Sequence, residues 1–183
     1  MFQPPAWSAW RRTDDPDEAN APSSRFGVLR RRSVGRGPLG LRSTNLFLDT
    51  AAASWSATGI GQIVQATTSV PLLQLPLGRS LTYRLGQRHF EVDPGQVAFF
   101  SPGTEYEVGY GPESPAMGLV VGGAALEEEL ACRGGGSTPS AYFRPAGFAL
   151  DAVAREGLER ILDDLRATGP LDPCSPAAAA IRS

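Results

Sequence analysis

Lysine is absent from this chain of 183 residues: all 17 basic side chains are arginine. A Walker A phosphate loop, which needs its lysine, is thereby excluded. Histidine occurs once, as His89, so a metal cluster of two or three imidazoles cannot be assembled. Any serine or cysteine nucleophile would have to share that one imidazole as its base, and no G-x-S-x-G motif occurs. The two cysteines, Cys132 and Cys174, have neither the number for a disulfide framework nor metal-ligand spacing, and read as reduced thiols. No run approaches the roughly 18 apolar residues of a membrane span. The N-terminus lacks the apolar core of a signal peptide. A net charge of −2 leaves no electrostatic footprint for nucleic acid or an anionic membrane. These absences together imply a cytoplasmic protein with no catalytic residues, no metal, no cofactor, no membrane partner and no direct DNA binding.

What is present is concentrated between Leu72 and Val121. Leu81, Tyr83 and Leu85 alternate with Thr82 and Arg84, the period of two that lays one strand face on a core. Gly86-Gln87 supplies a tight reversal, after which Phe90 and Val92 alternate with His89 and Glu91. Asp93-Pro94-Gly95 and Ser101-Pro102-Gly103 are turns in which proline presets φ and glycine tolerates φ > 0. Between and after them, strands are expected over Gln96–Phe100, Glu105–Val108 and Met117–Val121. Strands this short and evenly punctuated predict a mainly β fold, an antiparallel sandwich or small barrel.

The meander carries a resemblance. Gly78, Leu81 and Gly86, the run Pro94-Gly95-Gln96-Val97-Ala98-Phe99-Phe100-Ser101-Pro102-Gly103, and Tyr106 together resemble the cupin-like N-terminal domain of AraC-type transcription regulators. The resemblance spans roughly residues 26–165. It implies a cupin-like antiparallel β-barrel or jelly-roll sandwich followed by C-terminal helices. It also implies a small-molecule effector in the barrel and a helical segment that pairs two subunits. Regulators of this type normally add a domain of two helix-turn-helix motifs, which has no counterpart here. The expectation is therefore a truncated regulator or a fragment, divided into a disordered tail over 1–24, a sensing domain over 25–147, and a helical dimerisation or linker segment over 148–183. Homodimers, or heterodimers with full-length relatives, are the partners so implied. In metal-binding cupins a histidine follows the P-G turn, where this chain has Tyr106.

The remaining stretches are read in order. Residues 1–24 mix proline, acidic and small residues without periodicity, the composition of a disordered tail, although Trp7 and Trp10 lie within it. Phe26–Arg32 reads as an edge strand whose arginines, Arg30, Arg31 and Arg32, are solvated residues that discourage edge pairing. Gly35-Arg36-Gly37-Pro38-Leu39-Gly40 matches G-x-G-x-x-G literally, but Pro38 removes a donor and no helix opens after it, so this is a loop and not a dinucleotide fingerprint. Strands are expected over Thr44–Leu48 and Gly59–Thr67, with Trp55 between them. A short helix is expected over Ala124–Cys132 and loop over Gly134–Gly147. Leu150, Val153, Leu158, Ile161, Leu162 and Leu165 form one apolar stripe of a helix over Leu150–Ala167, available to cover the barrel or to seam a dimer.

Seven residues are expected to face inward: Leu81, Tyr83, Phe90, Val97, Phe99, Tyr106 and Val108. From the aromatic members and their neighbour come the candidate ligand contacts Tyr83, Phe90, Phe99, Tyr106 and Trp55, the tyrosines offering hydroxyl anchors on apolar bodies. The paired carboxylates Glu105 and Glu107 share an exposed strand face. Two other readings stay open: a small metal-free cupin enzyme of isomerase or epimerase type, and an interaction domain whose core is simply filled.

Overall fold

The structure, a computed structural model, describes residues 9–21, 26–47, 51–123 and 147–167. Among the described residues twelve strands form two sheets, and every pairing between them is antiparallel. The strands are β1 Arg11–Thr13, β2 Gly27–Val34, β3 Leu41–Phe47, β4 Ala51–Ala57, β5 Gly61–Thr68 and β6 Leu72–Pro76. They continue as β7 Leu81–Leu85, β8 Arg88–Val92, β9 Gln96–Phe100, β10 Glu105–Tyr110, β11 Ala116–Val121 and β12 Gly147–Ala149. One sheet has the order β1-β3-β4-β11-β6-β9-β12 and the other β2-β5-β10-β7-β8. Neighbours in space are mostly distant in sequence, as in double-sheet jelly rolls. Among the described residues no helix is long and apolar enough to cross a membrane.

The expected turns set the register. Gly86, at φ +57°, opens the two-residue reversal that pairs Leu85 with Arg88. The Gln96 amide donates to Asp93 O at 2.9 Å, with Gly95 at φ +92°, and the Thr104 amide donates to Ser101 O at 3.1 Å, with Gly103 at φ +79°. Both are turns with proline at the second position and glycine at the third, the combination that requires φ > 0 there.

The interior core between the sheets joins Val64, Ala66, Leu81, Tyr83, Val92, Tyr106 and Val108 of the five-stranded sheet to Ala98, Phe100 and Ala116 of the seven-stranded sheet. A second core lies on the other face of the seven-stranded sheet. There Leu46, Ala53, Trp55, Leu75, Val97, Met117 and Leu119 pack with Leu158 and Leu162. These two leucines come from helix α2, Ala152–Ala167, whose first turn is closed by the Arg155 amide on Asp151 O at 3.0 Å. α1 is the short helix Pro16–Asn20.

Four expectations are corrected here. The tail is not wholly unstructured: β1 pairs with β3, and α1 is capped by Asp15, whose Oδ1 accepts from the Asp17 amide at 2.8 Å, with Pro16 opening the helix. The Asp-Pro-Asp-Glu composition that suggests disorder is here helix-start chemistry. Asp14 Oδ1 also accepts from the Gly40 amide at 2.7 Å, and Ala19 packs on Leu39 and Leu41. Second, strand β12 straddles the expected boundary at 147/148, pairing with β9, so the helical segment is not separate from the sandwich. Third, the apolar stripe is not wholly free to seam a dimer: Leu158 and Leu162 are buried in this chain's own second core, and Leu150 packs against it. Fourth, Val97 faces that second core and not the sheet interior. The side chains of Val153, Ile161 and Leu165, and the helix expected over Ala124–Cys132, lie outside the described residues.

Candidate functional site

A cross-strand row of the five-stranded sheet organises the interior. Arg31 on β2 pairs with Val64 on β5, Val64 with Val108 on β10, Val108 with Tyr83 on β7, and Tyr83 with Phe90 on β8. Directly opposed residues point to the same face of a sheet, so all five look inward. At the β7–β8 end the space is filled. Tyr83 stacks on Phe90 at 5.2 Å between ring centroids and meets Phe100 at 5.4 Å, while Phe100 stacks on Tyr106 at 4.1 Å. The Tyr83 hydroxyl is buried there without a hydrogen-bond partner, and burial pushes its pKa up.

Toward β2 the bulk falls away. The facing row of the seven-stranded sheet reads Asn45, Ser54, Gly118, Gln74 and Ala98, paired in that order. Small side chains there leave a cavity of about 100 Å³ between the sheets, room for several waters or a compact ligand. Its wall combines the apolar Leu29, Val64, Leu72 and Val108 with the polar Arg31, Asn45, Ser54, Gln74, Tyr106 and Tyr110. No carboxylate, imidazole or thiol lines it among the described residues.

The polar groups are only partly satisfied. Arg31 Nε donates to Asn20 Oδ1 at 2.7 Å and one Nη to Gln62 Oε1 at 3.3 Å. Both acceptors are neutral, and burial lowers the Arg31 pKa, an effect that Tyr110 and Tyr106 partly offset. Gln74 Nε2 donates across the gap to the Tyr110 hydroxyl at 3.2 Å, while Gln74 Oε1 is buried without a partner. Burial pushes the Tyr106 and Tyr110 hydroxyls up, so both stay protonated donors.

Of the expected ligand contacts, Tyr106 lines the cavity, and Tyr83 and Phe90 form the aromatic wall behind it. Trp55 and Phe99 do not join them. Ser54 and Ser56 line the cavity, so Trp55 between them points to the helix side, where it packs in the second core. On β9 the inward pair is Ala98 and Phe100, which places Phe99 on the face of Val97. The expected aromatic was one residue out of register, and a slip of one reverses every side chain. Arg31 corrects the expectation of three solvated arginines: Arg30 and Arg32 are exposed, whereas Arg31 follows Leu29 inward. That alternation was the available signal. Gln74, inside the apolar run Leu72–Leu77, was another.

A second depression lies on the outer face of the five-stranded sheet, where Arg84 and Glu107 satisfy each other. Arg84 donates to Glu107 through two nitrogens at 2.8 and 3.2 Å, and Gln65 adds a third hydrogen bond at 3.1 Å. His89 is exposed on β8, away from the cavity.

No family model matches the chain, and no curated protein sequence does. Among solved structures it is similar to the AraC-like transcriptional activator CuxR, at 11% identity and a TM-score of 0.62, over 96% of this chain and 66% of that one. The chain thus spans slightly less than two thirds of that activator's length. Smaller likenesses reach a putative ethanolamine utilization protein Q from Salmonella typhimurium LT2, at 14% identity and TM-score 0.41, over 52% of this chain and 94% of that one. A cupin superfamily protein from Desulfitobacterium hafniense DCB-2 follows, at 9% identity and TM-score 0.38, over 52% and 78%. These two carry no further weight. The first shows that the chain shares its fold with that AraC-like activator.

Proposed function

We propose that this chain is the effector-sensing domain of an AraC-like transcription regulator, taking a small molecule into the space between its sheets. The observation that carries this reading is the cavity itself: a mostly apolar void with polar groups set into its wall, between two sheets that elsewhere close over a filled aromatic core. A filled interaction domain would not need it. The lining supports a non-catalytic role, because a chamber without carboxylate, imidazole or thiol offers no group suited to proton transfer near neutral pH. On this reading the protein works in the cytoplasm by pairing, either with itself or with longer relatives, and DNA contact belongs to another segment or subunit.

The test is ligand screening by thermal shift on the full chain, with Ser54→Leu as a variant whose side chain fills the cavity. A binder raises Tm in proportion to the logarithm of its concentration over Kd. Compounds that stabilise the wild type and not the variant support sensing. A library in which no stabilisation depends on the cavity refutes it. Sedimentation over a concentration series tests pairing: a monomer at every concentration, with and without ligand or a longer relative, removes that part.

A further inference from the structure

Resting on the sensing reading, we infer that the cavity selects a small carboxylate carrying a hydroxyl group, with Arg31 as the anchor for its anionic end. Arginine holds its proton under all ordinary conditions, so, unlike lysine, it cannot escape burial by becoming neutral. Among the described residues no carboxylate faces Arg31, and its two acceptors, Asn20 and Gln62, carry no charge. Of its five N–H donors two are engaged, which leaves donors in the planar geometry that suits a carboxylate. A half-buried cation beside an open volume is compensated best by an anion placed in that volume.

The second determinant lies opposite. Gln74 Oε1 is buried, accepts nothing, and belongs to the cavity wall. An acceptor oxygen repels a carboxylate and calls for a donor, which a ligand hydroxyl supplies. Ser54 stands on the same row with only Gly118 between it and Gln74, and adds a second polar group on that side of the cavity. Leu29 and Leu72 give the ligand's carbon skeleton an apolar surface. Neutral hydrocarbons leave both polar ends unsatisfied, and cations are repelled by Arg31.

The experiment measures thermal shift and Kd on the full chain at constant ionic strength. The probes are lactate, 3-hydroxybutyrate and 4-hydroxybenzoate, each against its primary amide. At least one carboxylate is expected to bind about tenfold or more tightly than its amide, the equivalent of one charge-assisted hydrogen bond. Arg31→Gln should erase that difference, and Gln74→Leu should erase the preference of 3-hydroxybutyrate over butyrate. The wild-type comparison stands even if Arg31→Gln fails to fold. Equal binding of acids and amides, acid preference retained in Arg31→Gln, acid binding unaffected by Ser54→Leu, or no binding by any probe at millimolar concentration overturns the inference. If neutral compounds bind in a cavity-dependent way while carboxylates do not, sensing stands and anion selection falls. If nothing binds in a cavity-dependent way, both fall.

Discussion

Leu162→Ala separates the two roles open to the apolar stripe of α2. Leu162 is 1% exposed and belongs to the core beneath the seven-stranded sheet, with Trp55, Leu75, Leu119 and Leu158. Removing a leucine side chain from such a site costs about 2 to 5 kcal/mol, because the transfer energy is lost and the cavity collapses only in part. For a domain of this size about 1 kcal/mol moves Tm by about 2 to 4 °C. A central value of about 3 kcal/mol therefore predicts a fall of about 6 to 12 °C. The contact is within one chain, so the fall should be the same at every protein concentration. The control is Glu159→Ala on the exposed side of the helix, where a surface change stays within about 0.5 kcal/mol. Differential scanning calorimetry over a concentration series reads both. A fall of less than about 2 °C, or a loss that grows on dilution, would refute an intramolecular docking and return this leucine to a subunit seam.

Two glycines should respond in opposite ways to alanine. At Gly118 a Cβ meets only Leu72 Cδ1, at 3.7 Å, so Gly118→Ala should gain about 0.5 to 1 kcal/mol from reduced freedom of the unfolded chain. At Gly27, φ +153°, a Cβ would run into the Thr67 carbonyl oxygen, and Gly27→Ala should lose more than about 1 kcal/mol. Denaturant midpoints check both, and equal midpoints for the two variants would contradict the backbone geometry. Hydrogen bonds from Arg84 and Gln65 hold the Glu107 carboxyl below the usual range. Its stabilising contribution is complete above the unfolded carboxylate value, about 4.3, and is lost as pH falls through the lower folded value. Glu107→Gln should flatten the acid limb of the stability curve while changing little at neutral pH, where an exposed pair counts for little. Superimposable acid limbs would rule this out.

Much of the fold was legible because its punctuation is chemical. The two PG turns and Gly86 impose backbone geometries that few other residues tolerate, and the strands between them follow, with Gln96–Phe100 correct at both ends. Strand β4, Ala51–Ala57, was hidden because its inward residues are alanine and serine, which give no hydrophobic alternation. Strand β6 was obscured for the opposite reason: it carries leucines on both faces, since one looks into the sandwich and the other toward α2. The same double burial explains Phe99 and Phe100. In Val97-Ala98-Phe99-Phe100 every side chain is buried, so periodicity cannot say which aromatic belongs to which core. The choice comes from pairing, Leu72 with Phe100 and Leu73 with Phe99.

That division of one sheet between two cores bears on why the cavity exists. Toward α2 the sheet presents Trp55, Leu75, Val97 and Leu119, and the helix covers them. Inward, near β2, the same strands present Ser54, Gly118 and Gln74. Leucine or isoleucine at any of these would bury more apolar area, about 25 cal/mol per Å², and would close the void. Stability alone therefore favours a filled interior, as it does at the Tyr83 end. Near β2 the chain instead keeps a half-buried guanidinium paired only with neutral acceptors, and a buried Gln74 amide oxygen with no partner, two features that each oppose folding. Local choices that run against stability, grouped on one cavity and supported by a contact from Asn20 on α1, are what the proposed sensing role requires. The N-terminal segment then belongs to the site as well. Asn20 Oδ1 accepts from Arg31 Nε at 2.7 Å, and the Asp14 contact to the Gly40 amide ties the same segment to the loop before β3, so part of the polar wall is held from outside the two sheets.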